Sequence, residues 1–90
     1  MTFVKKRYFR IFAVDPTATP QDVAAYVAEC WKFLRDRGIL GPDMKLTKEY
    51  EELCYRAMDK WRSLNRDEDR ALQEMTDEEW AALITRADRF

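Results

Sequence analysis

Histidine is missing from the 90-residue chain, and with it the commonest general base and the commonest metal ligand. Glycine stands only at positions 38 and 41, which excludes a Gly-rich phosphate loop. Ser63 is the sole serine, so no serine-based nucleophile is paired with a histidine base. Carboxylates are abundant, but they fall on predicted solvent faces or beside basic residues, as Glu52 does four residues before Arg56. No enzyme activity, catalytic residue, cofactor or metal is therefore expected. No apolar run approaches the ~20 residues that cross a bilayer. The opening Met1 to Arg7 also lacks the long apolar segment of a secretory signal, so a soluble, cytoplasmic protein without a membrane span is expected. Cys30 and Cys54 are the only cysteines. Both fall on predicted buried stripes, which reads as reduced core filling rather than a disulfide or metal pair.

Apolar residues make up 47% of the chain and aromatics 13%, enough to build a core and to argue against disorder. The length suits one domain, residues 1–90, near the lower limit for a core that stands unaided. Net charge is −1, which gives no bulk attraction to nucleic acid or anionic membrane. The charge is nevertheless uneven. Residues 1–37 carry seven Lys/Arg against four Asp/Glu, and residues 38–90 carry nine against thirteen.

Two stretches show a helical period. From about Pro20 to Arg37, Val23, Val27, Cys30 and Leu34 recur at spacings of four, three and four. From about Lys48 to Leu64, Tyr50, Leu53, Cys54, Ala57, Trp61 and Leu64 do the same. Each set makes one stripe that must be buried, and packing one against the other predicts an antiparallel helical hairpin in an all-α fold. Thr19 with Pro20 and Asp22 marks the start of the first helix, Arg35, Arg37 and Gly38 its end, and Thr47 the start of the second. Thr76 and Glu79 form a capping box, with Met75 and Trp80 placed as a hydrophobic staple. A further helix is expected from about Asp77 to Arg89, with Trp80, Leu83, Ile84 and Ala87 on its apolar stripe. A short helical segment between Asn65 and Gln73, and an N-terminal helix from about Lys5 to Ala13, complete the expectation.

The segment from Tyr8 to Val23 resembles the start of a J-domain, the DnaJ-type co-chaperone module. That family opens with an aromatic pair, an Ile-Leu-Gly-Val-like run, a Pro/Ala/Thr turn, then an acidic and an aliphatic residue starting its second helix. Trp61 to Leu72 is similar to the family's third-helix end and fourth-helix start: an aromatic-x-x-Leu, an acidic turn, then Arg before a small and an apolar residue. The resemblance spans about residues 7–74, which leaves 76–89 as an additional C-terminal helix. It implies an antiparallel hairpin core and a link to a DnaK-type chaperone. The family's activating His-Pro-Asp is replaced by Gly41-Pro42-Asp43, which implies a degenerate module that binds without stimulating the chaperone ATPase.

The favoured expectation is accordingly a non-catalytic, regulatory interaction module whose partner is a DnaK-type chaperone, a J-protein or an unrelated protein. Its candidate contact residues are Tyr26, Trp31, Phe33, Lys32, Arg35, Pro42 and Asp43. Ala24, Ala25 and Ala28 beside them would let another helix approach closely. Two alternatives follow from charge. Lys5, Lys6, Arg7 and Arg10, interleaved with Tyr8 and Phe9, could grip phosphates and stack a base, making a nucleic-acid-binding accessory protein. The acidic run from Asp67 to Glu79 could instead serve a small mobile-element-encoded inhibitor as a decoy face.

Overall fold

In the computed structural model, residues 4–7, 15–41, 45–64 and 68–87 are described. They hold four helices: α1 Pro20–Asp36, α2 Lys48–Ser63, α3 Glu68–Glu74 and α4 Asp77–Ala87. The described residues contain no β-strand, only an isolated bridge between Leu40 and Leu46, and the fold is all-α.

The helix ends obey local chemistry. Thr19 and Asp22 exchange reciprocal side-chain-to-backbone bonds of 3.1 Å at the start of α1. Thr47 accepts from the Tyr50 N–H at the start of α2, and Thr76 and Glu79 repeat the reciprocal box at α4. At the other end of α1, Gly38 adopts φ +76°. Its N–H donates to Arg35 O and that of Ile39 to Leu34 O, the paired bonds of a Schellman ending. A Cβ at Gly38 would meet nothing within 4 Å, so the cost of Gly38→Ala is backbone strain alone. Urea denaturation of that variant should show a loss of about 1–2 kcal/mol with an unchanged m-value.

Packing departs from the simple hairpin. The close backbone approaches between helices are those of α4 with α1 and of α4 with α2, not of α1 with α2. The two long helices do meet where the Trp31 and Tyr50 rings stack, with centroids 6.2 Å apart. Cys30, Leu34, Leu53 and half-buried Trp61 share one apolar cluster, but α4 supplies its centre. From Glu79 to Thr85 every residue of α4 is buried. Glu79 meets Lys60, Ala82 O meets Cys54 and Thr85 meets Tyr50, so α4 runs antiparallel to α2. On its other side, Trp80 Nε1 donates to the Tyr26 hydroxyl of α1 at 2.6 Å. The expected single stripe of Trp80, Leu83 and Ile84 therefore understates this helix. Ala81, Ala82 and Thr85 fill the remaining directions, and their small size lets two long helices close on it.

The N-terminal helix expected from Lys5 does not begin there. Residues 4–7 carry no helical structure, because Lys5, Lys6 and Arg7 each find a partner far along the chain. The remainder of that expected element, residues 8–14, lies outside the described residues. The segment expected between Asn65 and Gln73 is realised as α3, and α4 is described to Ala87.

Candidate functional site

The uneven charge of the sequence is resolved by ion pairs that join its two parts. Lys5 stands 3.9 Å from Asp77, Arg7 pairs with Asp69, and Arg37 with Glu78 at 3.0 Å. Lys60 binds Glu79 at 2.7 Å, and Arg70 binds Glu74 at 2.9 Å within α3. Every acidic side chain described between Asp69 and Glu79 is thus paired within the chain. That weighs against an open acidic decoy face.

The N-terminal cations are spent in the same way. The Lys5 ammonium donates to Leu72 O at 2.7 Å and to Met75 O, closing the C-terminal end of α3. The Lys6 ammonium lies over the Tyr26 ring, 5.6 Å from its centroid. Arg10 lies outside the described residues. A phosphate-gripping cluster is not what the geometry offers at Lys5, Lys6 and Arg7, since binding phosphates there would first break these contacts.

Of the residues expected to contact a partner, Tyr26 is buried. Its hydroxyl donates to Val4 O at 2.7 Å and accepts from Trp80 Nε1 and Lys6 N–H. Burial raises the pKa of its hydroxyl well above the ordinary tyrosine value. Tyr26 is a core hydrogen-bonding centre, and no exposed Tyr26–Trp31–Phe33 patch exists. Trp31 and Phe33 are half-buried against the core at opposite edges of α1, and Arg37 lies 4.8 Å over the Phe33 ring. Pro42 and Asp43 lie outside the described residues, although Gly41 N–H donates to Lys45 O across that loop.

Lys32 and Arg35 differ from all of these. Both are exposed, and neither side chain makes a hydrogen bond or ion pair with another described residue. At 100° per residue they share the outward face of α1 with Gln21, Ala24, Ala25 and Ala28, all exposed. The upshot is a smooth, short-chained surface ending in two unspent cations.

Other features are structural. A shallow, open depression of about 500 Å³ is lined by Arg56, Asp59, Lys60, Ser63 and Glu79. Lys60 there holds Glu79, and Ser63 Oγ donates to Lys60 O. Both cysteines are free and buried. Burial pushes the Cys30 thiol up to about 12 and raises Cys54, which suits packing rather than nucleophilic chemistry. No group of three His, Cys, Asp or Glu among the described residues could hold a metal ion, and no described helix is long and apolar enough to cross a membrane. Comparison of the chain with protein-family models, curated proteins and solved structures finds no match.

Proposed function

We propose that this chain is a non-catalytic, regulatory protein-binding module, and that its contact face is the outward side of α1. The observation that carries the reading is where two unpaired cations stand: Lys32 and Arg35 hold no carboxylate and project from one end of an exposed face of Gln21, Ala24, Ala25 and Ala28. Exposed Lys48, Arg56 and Arg62 also hold no carboxylate, so the alanine face beside the charge is what distinguishes this site. A partner helix carrying Asp or Glu would approach closely over Ala24, Ala25 and Ala28 and meet Lys32 and Arg35 at one end. Charge pairs at such a rim set orientation and association rate more than final affinity.

The J-domain likeness of residues 7–74 directs the choice of test partner. In that family the second helix docks on a DnaK-type chaperone through a row of Lys/Arg; α1, in the matching place, departs from this by exposing Gln21, Ala24, Ala25, Ala28 and Glu29 before Lys32 and Arg35, which argues against stimulation of the chaperone. With Gly41 where the family has His, binding without ATPase stimulation is the proposed behaviour. The test uses a purified DnaK-type chaperone and a purified J-protein. One of them should bind, and Lys32→Glu with Arg35→Glu should weaken that binding by about tenfold, roughly 1.4 kcal/mol, with unchanged thermal stability. ATPase stimulation would overturn the non-catalytic assignment. Binding indifferent to the double variant would overturn the face, and no binding to either partner would remove the chaperone link.

A further inference from the structure

The outward side of α2 carries a charge pattern that the outward side of α1 answers. Glu49, Glu51 and Glu52 are exposed near the start of α2, Tyr55 and Arg56 at its middle, and Arg62 near its end. None of these five charged side chains holds an ion pair with another described residue. Tyr55 is 59% exposed, a large ring left outside the core, with Arg86 of α4 lying 5.4 Å over it. On α1 the exposed order is Gln21 first, then Ala24, Ala25, Ala28 and Glu29, and last Lys32 and Arg35. Acid thus opens one helix and base closes the other, as an antiparallel pair requires.

We propose that the helix taken up by the α1 face is α2 of a second copy of this chain, laid antiparallel. The inference rests on the reading of α1's outward side as a contact face, and it names the occupant. In one register Arg35 reaches the second copy's Glu51, Lys32 its Glu52 and Glu29 its Arg56, while Gln21 comes level with Arg62. At 100° per residue the two members of each pair also fall on the same flank of the contact, so the register that satisfies one satisfies the rest. Tyr55 then lies over Ala28, where the short side chains give its ring a flat floor, and a rigid aromatic is a typical anchor at such a contact. At the far end Asp36 meets Lys48 and Glu49 together, which leaves no net repulsion there. A helix-on-helix contact is small, so the association is weak and reversible. Its opposite charges set orientation and rate, and salt screens them. Each copy brings both faces, so the contact closes a pair or passes from chain to chain. Either way it covers Lys32 and Arg35, and self-association competes with any other partner of that face.

Sedimentation equilibrium of the full chain at concentrations up to about 1 mM tests this. At about 0.05 M salt the mean mass should climb above the 10.8 kDa of one chain, and at about 0.5 M it should fall back. Lys32→Glu with Arg35→Glu should weaken the association about tenfold, and so should Glu51→Lys with Glu52→Lys. A chain carrying all four changes should associate again to within about threefold of the native one, since each face then meets its reversed complement. Tyr55→Ala leaves every one of these charges in place and should also weaken association about tenfold, which keeps the test open if a charge reversal spoils folding. A mass that stays at one chain throughout would overturn the inference. So would association that neither reversal weakens, or that a natively folded four-change chain does not regain. A monomeric chain that still binds a purified chaperone or J-protein through Lys32 and Arg35 would remove this inference alone, whereas loss of both bindings would remove the α1 face itself.

Discussion

Replacing Trp80 with alanine is expected to cost about 3–5 kcal/mol, the largest effect of any single side chain among the described residues. Trp80 is fully buried on the helix that packs against both α1 and α2, and its indole N–H is the buried donor to Tyr26. Truncation removes a large apolar volume between elements that cannot all collapse into the void, and strips the Tyr26 hydroxyl of a partner. For a domain of this size the loss corresponds to a fall of roughly 15–30 °C in the unfolding midpoint. Trp61 supplies the control. It lies on the apolar stripe of α2 but is only half-buried, so Trp61→Ala should cost well under half as much. Thermal denaturation of the two variants side by side checks the ranking. Equal losses would mean that α1 and α2 pack as a direct hairpin in which Trp61 is central.

Glu79→Ala is the second large effect, expected at about 2–3 kcal/mol by urea denaturation. This carboxylate is buried, accepts from Thr76 N–H at 3.1 Å and holds the Lys60 ammonium at 2.7 Å. One residue thus starts α4 and fastens it to the end of α2. Burial alone would raise its pKa, but the bonds from Lys60 and Thr76 outweigh that and hold it below the usual value of 4.5. A depressed folded-state pKa stabilises the fold above the unfolded value and loses that contribution as pH falls through the folded one. Stability of the native chain should therefore decline as pH drops below about 4.5, and Glu79→Gln should flatten that acid limb.

How much of this was legible from the residues depended on whether the determinant was local. Thr19 with Asp22, Thr47, Thr76 with Glu79, and Gly38 act within a few residues of themselves, and each performs in the structure as its spacing implied. Lys32 and Arg35 were legible for the same reason, since helix phase alone sets them outward. Tyr26 was not. Its fate is decided by Val4 and Trp80, 22 and 54 residues away, and no periodicity carries that information. Lys5 likewise looked like part of a basic helix, yet its partner carbonyl on Leu72 is 67 residues distant. The central place of α4 was masked by composition. The period placed only Trp80, Leu83, Ile84 and Ala87 on an apolar stripe and left Ala81, Ala82 and Thr85 off it. The uncharged run from Trp80 to Thr85 was the available sign that this helix is enclosed on all sides.

Native-state amide exchange along α4 tests most directly whether this helix is the centre of the core. The amides of Leu83, Ile84 and Thr85 should be among the slowest in the chain, exchanging only through global unfolding and therefore tracking the urea-derived stability. Exchange at these positions that is fast while α1 and α2 remain protected would place α4 outside the core and restore the simple two-helix hairpin.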